Sequence, residues 1–210
     1  MASGFRDIDV RTAAKNQLLA HARRCPDTLV VDELGVAHGA ARVDIAVING
    51  HIRGLEIKAD TDTLERLPRQ VEAYGRVVDC ATLIAAERHV AAALPLLPDW
   101  WGVVSVHRCA NGAVGFRRLR PERVNRALDP MTLTRLLWRS EAVMLLTNLG
   151  GDENALGRLR RADLYAELVG ATSISQLRGL VRAALKARGN WRDRTRPSSY
   201  DGSSRPIATR

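Results

Sequence analysis

Asp44, Glu56 and Lys58 put two carboxylates and an ammonium group on one apolar hairpin, Arg42-Val43-Asp44-Ile45-Ala46-Val47-Ile48-Asn49-Gly50-His51-Ile52-Arg53-Gly54-Leu55-Glu56-Ile57-Lys58. Paired carboxylates suit a hard divalent cation such as Mg2+ or Mn2+, which takes oxygen ligands and keeps several of its waters. Such an ion lowers the pKa of a bound water and offsets charge that develops on phosphate. A lysine on the same face can orient that water or stabilise the transition state.

The hairpin must bring these groups together. Side chains alternate along a strand, so Glu56 and Lys58 share one face while Leu55 and Ile57 take the other. A two-residue Asn49-Gly50 turn would pair Asp44 with Leu55 and turn it away from Glu56. A three-residue loop, Ile48-Asn49-Gly50, pairs Asp44 with Gly54 and gives it the parity of Glu56. That loop predicts a G1 bulge with Gly50 at positive φ; a bulge near Gly54 has the same effect. Val43, Ile45 and Val47 then form an aliphatic wall with Leu55 and Ile57. The next apolar residues, Leu64, Leu67, Val71 and Tyr74, recur at spacings of three and four and predict an amphipathic helix. Asp60 or Asp62 caps it, and Pro68 kinks it or begins a second segment. Gln70 and Tyr74, four apart, face the same way.

Asp44…Glu56-x-Lys58 on an apolar hairpin resembles the PD-(D/E)XK nuclease superfamily, from about Asp27 to Val106. Gln70 and Tyr74 match the Q-x-x-x-Y signature of its RecB-like members, and the chain is similar to small bacterial members. The resemblance implies an α/β fold: a restriction-endonuclease-like mixed sheet, core order α-β-β-β-α-β, flanked by helices. It implies metal-dependent hydrolysis of phosphodiester bonds in DNA, with Mg2+ or Mn2+ as cofactor. By it, Asp44, Glu56, the Ile57 carbonyl and Glu33 are the metal-site candidates. Lys58 serves the water or the developing charge, while Gln70 and Tyr74 complete and support the pocket. Glu33, at the end of Thr28-Leu29-Val30-Val31-Asp32-Glu33, stands for the extra acidic residue often found upstream; Asp32 competes with it but has opposite parity. Arg42, Arg66 and Arg69 are candidates for substrate phosphate, and His38 is a loop residue within reach of substrate or solvent. Two rival readings are a non-catalytic nucleic-acid-binding module of the same fold and an RNA-directed nuclease.

The 210 residues carry a net charge of +9, unevenly spread. Residues 1–120 hold 16 Lys/Arg against 14 Asp/Glu, and residues 121–210 hold 16 against 9. Arginine supplies nearly all of the positive charge, which favours bidentate phosphate contacts and a nucleic-acid partner. GC-rich coding also produces arginine- and alanine-rich chains. The longest apolar stretches, such as Val90 to Leu97, fall short of a membrane span. The N-terminus lacks a signal-peptide core, and Cys25, Cys80 and Cys109 show no C-x-x-C spacing. A cytoplasmic protein with free thiols and no zinc site is expected.

The chain is expected to divide into a nuclease-like core (1–120), a basic helical subdomain (121–189) and a disordered basic tail (190–210). A first helix at 5–24 buries Ile8, Ala13, Leu18 and Leu19. Strands are expected near 28–34, 42–48, 52–58, 81–85 and 100–106, with Gly112 to Leu119 pairing onto the last. Three helices follow: one opened by Asp129-Pro130, one over about Leu156 to Leu168, and one capped by Ser173 or Ser175. They bear Arg158, Arg160, Arg161, Arg178 and Arg182, which either hold DNA backbone or surround helices that cover the sheet or form a homodimer interface.

Overall fold

The computed structural model describes residues 4–36, 39 and 41–188; the expected tail and His38 lie outside the described residues. The element order is α1 (Asp7–Gln17), α2 (Ala20–Arg24), β1 (Leu29–Val36), β2 (Ala41–Ile48), β3 (Ile52–Lys58), α3 (Leu67–Val77), β4 (Cys80–Ala86), α4 (Glu87–Ala93), β5 (Gly102–Arg108) and β6 (Val114–Arg120). Five helices follow: α5 (Pro130–Thr134), α6 (Arg139–Asn148), α7 (Glu153–Arg158), α8 (Arg161–Ala171) and α9 (Ile174–Ala187).

The strands form one mixed sheet in the order β1-β2-β3-β4-β5-β6. β1, β2 and β3 run antiparallel in turn, β4 and β5 are parallel to β3, and β6 returns antiparallel. The parallel part is covered on both faces, which is why every residue of β4 is buried. On one face α1 packs Val10 and Ala14 against Ile45, Val47, Leu55, Ile57 and Ile84. On the other, Leu67, Tyr74 and Val77 of α3 join Leu83, Trp101 and Val103. Leu133, Leu137, Leu164, Leu168, Leu177 and Val181 of the helical region belong to that same cluster. No helix among the described residues is long and apolar enough to cross a membrane.

Several local expectations change. The first helix is two helices, and it buries Val10 and Ala14, leaving Ile8 57% and Leu18 40% exposed. This rotation turns Arg11 toward the sheet. The β2–β3 loop is Asn49-Gly50-His51, with Ile48 paired to Ile52. Asn49 Oδ1 accepts the His51 N–H at 3.2 Å and shapes the turn, so Gly50 does not take the positive φ of a G1 bulge. Nor does a bulge lie at Gly54. A Cβ there would sit 3.2 Å from the Tyr74 ring and from Val43 Cγ1, so this glycine lets α3 lie close across β3. Asp62 accepts the Ala59 N–H at 2.7 Å and caps no helix. Pro68 falls in the first turn of α3, where its missing N–H costs nothing. The helix expected from Asp129 breaks into α5 and α6, and the next into α7 and α8. Asp129 and Ser173 do cap α5 and α9, accepting from Thr132 N at 2.6 Å and Gln176 N at 3.3 Å.

The helical region is anchored at the far end of the sheet by Asp79. Its Oδ2 accepts the Ile52 N–H at 2.7 Å, and its Oδ1 lies 2.5 Å from Arg178 Nη2 of α9. Arg182 stands 4.0 Å away. Arg178 and Arg182 thus face a buried carboxylate where α9 meets the sheet, in keeping with helices that cover the sheet, one of the two expected roles.

Candidate functional site

The site grows from one irregular rung of the sheet. β1 and β2 pair at Asp32↔Ile45 and again at Leu34↔Val43, so Glu33 and Asp44 fall between these rungs. Glu33 has φ of 56°, among the described residues the one non-glycine in the left-handed region. Alternation shifts there on both strands. Val31, Leu34 and Val36 all reach the α3-side core, and so does Val43, which was expected to stand with Ile45 and Val47. Past Ile45↔Leu55 the β2–β3 ladder stops. Asp44 occupies the divergence: its Oδ2 accepts the Ile57 N–H at 2.8 Å, doing for β3 what a main-chain carbonyl would otherwise do.

Glu56 and Lys58 share a face of β3, as alternation requires, and both are buried. Lys58 Nζ donates to Glu56 Oε1 at 2.8 Å and to Gln70 Oε1 at 3.0 Å. The Tyr74 hydroxyl donates to Glu56 Oε2 at 2.5 Å and lies 3.2 Å from the Arg42 carbonyl. Gln70 and Tyr74 reach the same carboxylate–lysine pair because they are one turn apart on α3. Asp44, Glu56, Ile57, Lys58 and Gln70 together line a cleft of about 830 Å³. Tyr74 lies beneath it, fully buried and stacked on Trp101 with ring centroids 5.3 Å apart.

Burial pushes the Asp44 carboxyl above its usual range, against the Ile57 N–H and Arg11. Burial likewise raises Glu56, and the nearby Asp44 charge raises it further, while Lys58 and Tyr74 pull it back. The Tyr74 phenol is pushed well up by burial and by Glu56. Two carboxylates lining one polar recess offer the oxygen donors that a hard divalent cation takes. Asp44 and Glu56 would hold it, with Ile57 lining the same recess.

Glu33 also lines the cleft, but it is exposed and bound to Arg11 Nη2 and Arg42 Nη1, each at 3.4 Å. Among the described residues no group of three or more His, Cys, Asp or Glu is placed to hold a metal ion. Of the candidates for substrate phosphate, Arg42, Arg66 and Arg69 line the cleft; Arg158, Arg160 and Arg161 are exposed and do not.

Arg11 escaped the sequence reading, because an Asp7–Arg11 spacing of four looks like an ordinary surface pair. It lies largely buried, donating to the Asp44 carbonyl at 2.7 Å and standing 3.3 Å from Asp44 Oδ1. Burial works against its charge, but Asp7, Asp44 and Glu33 outweigh that and raise its pKa. Arg76, Thr132 and Arg135 also line the cleft unforeseen. No periodicity in sequence links them to the hairpin.

The family described as Bacteriophage P4 protein cII matches residues 7–196. Protein cII of Enterobacteria phage P4 is 28% identical over 189 residues, covering 90% of this chain and 69% of that protein. No solved structure matches the chain.

Proposed function

The chain belongs to the bacteriophage P4 protein cII family, and we propose that it is a metal-dependent nuclease hydrolysing phosphodiester bonds in DNA, built on a restriction-endonuclease-like fold. The observation that carries this reading is the Asp44–Glu56–Lys58–Gln70 constellation at one recess, where the β2–β3 ladder opens. A structural role alone does not account for a lysine and a glutamate both buried at the base of a polar cleft. The observed order α-β-β-β-α-β and the antiparallel-then-parallel pairing around β3 support the fold reading.

Asp44, Glu56 and the Ile57 carbonyl would hold Mg2+ or Mn2+. When bound, the ion supplies Lewis acidity to a phosphate oxygen and acidifies its water. Hydrolysis forms one P–O bond from water and breaks another, and negative charge builds on the phosphoryl oxygens between the two events. The Lys58 ammonium has two acceptors, Glu56 and Gln70, and its remaining N–H can donate to such an oxygen or to the attacking water. Gln70 thereby fixes the direction of Lys58, and Tyr74 fixes that of Glu56. Arg42, Arg66 and Arg69 offer counter-charge to the substrate backbone.

The test is incubation with Mg2+ or Mn2+ and linear, circular or branched DNA, with RNA alongside, for wild type and Lys58→Ala. Metal-dependent cleavage lost in the variant is expected. No cleavage of any substrate by wild type would leave a binding module, and cleavage of RNA alone would move the substrate class.

A further inference from the structure

Several arginines near this sheet already have an acidic partner. Arg11 and Arg42 meet Glu33, Arg53 meets Glu122, Arg117 meets Glu87, and Arg178 meets Asp79. Three on the cleft wall do not. Arg66 and Arg69, at the start of α3, and Arg135, at the end of α5, have no ion pair among the described residues, yet all three line the recess that holds Lys58 and Glu56. Arg76 of α3 lines it too, tied to Glu72 at 2.6 Å on the exposed rim, a pairing that contributes little in water. The wall is firmly built, because α3 and α5 are joined through Asp129 N–H to the Arg76 carbonyl at 3.0 Å, and Leu133 packs in the α3-side core.

We propose that Arg66, Arg69 and Arg135 form a track for consecutive backbone phosphates of a polynucleotide strand. The helical region then enters the substrate site through α5, not through the Arg158–Arg160–Arg161 cluster of α7 and α8. The chemistry favours a polyanion over a lone phosphate. Arg66 and Arg69 come from the start of α3 and Arg135 from the end of α5, and all line one open cleft of about 830 Å³, which has room for several linked phosphates and not only one. The track deepens the nuclease reading above and rests on it only for the direction in which the strand meets Lys58.

The experiment is DNA and RNA binding by fluorescence anisotropy in EDTA, where cleavage cannot intervene, over a KCl series. Single-stranded DNA, duplex DNA and RNA of equal length are compared, with inorganic phosphate as competitor. Arg135→Ala and Arg66→Ala/Arg135→Ala are set against Arg118→Ala, an exposed arginine of β6 outside the cleft. Each arginine lost from the track should weaken binding about tenfold. The salt slope should fall by about 0.9 per contact on duplex, or about 0.7 on a single strand. Arg118→Ala should bind as wild type. Circular dichroism of the variants should match wild type, since the three side chains are at the surface. Curves that superimpose for wild type and the double variant overturn the track, as does loss confined to an Arg158/Arg160/Arg161 triple alanine variant. Complete competition by millimolar inorganic phosphate also overturns it, reducing the wall to a single-anion site. Strong track-dependent binding without cleavage in Mg2+ would sink the nuclease reading and leave the track standing.

Discussion

Replacing Tyr74 by Phe removes one hydroxyl from the site. The ring is fully buried and stacks on Trp101, so Phe keeps the packing and removes only the hydroxyl. What is lost is the 2.5 Å donation to Glu56 Oε2, on a side chain that is 1% exposed, together with the longer 3.2 Å contact to the Arg42 carbonyl. A hydrogen bond to a buried charged group is worth roughly 1.5–3 kcal/mol. At 2–4 °C per kcal/mol for a chain of this size, the melting temperature should fall by roughly 3–12 °C at pH 8. The pH dependence identifies the partner. Burial and Asp44 hold the Glu56 carboxyl above its ordinary value of 4.5, and Tyr74 opposes them, so the variant raises that carboxyl further. A carboxyl raised by folding contributes stability at low pH that is lost as pH rises through its folded pKa. The deficit of Tyr74→Phe is therefore full where Glu56 is ionised. It should shrink toward the roughly 1 kcal/mol of a neutral hydrogen bond as pH falls to the ordinary carboxyl range. Urea melts of both proteins from pH 4.5 to 8 measure this directly. A deficit constant across that range, or none at all, would refute the assignment of the hydroxyl to an ionised Glu56.

The same reasoning applies to the metal-free pocket: with Asp44 and Glu56 both raised, stability should decline as pH climbs from about 4 through their folded pKa values. Mg2+ or Mn2+ should restore it by mass action, and Asp44→Asn should abolish the metal-induced rise in melting temperature; an equal rise in both proteins places the ion elsewhere. Arg11→Ala removes the guanidinium that satisfies the Asp44 carbonyl and faces three carboxylates, at about 2–4 kcal/mol by urea denaturation, with Arg11→Lys recovering part of it. A loss below about 0.5 kcal/mol would show that Asp44 holds its place unaided. Asp79→Ala should cost about 3–5 kcal/mol, because it strands Arg178 and the Ile52 N–H in the base of the sheet. A variant as stable as wild type would mean that α9 docks by its leucines alone.

The sequence alone determined the hairpin, the shared face of Glu56 and Lys58, and the α3 turn that carries Gln70 and Tyr74. These are consequences of periods of two and 3.6 residues acting over short spans, where backbone geometry leaves few alternatives. It also marked the strands and the caps Asp129 and Ser173, whose causes are equally local. The tertiary structure decided the rest. The odd, three-residue loop that parity required is present one residue later than expected, but the setting of Asp44 in the Glu56 cleft also involves a rung where Glu33 turns left-handed and two strands shift alternation together. Arg11 became a site residue because α1 docks Val10 and Ala14 inward, a rotation set by sheet contacts and not by the helix's own pattern. Arginines that look alike in sequence took unlike fates: Arg178 bound a buried Asp79, Arg158 stayed at the surface, and Arg135 reached the cleft. Charge in a sequence has no direction; only packing of α5 and α9 on the shared core gives each guanidinium its neighbours.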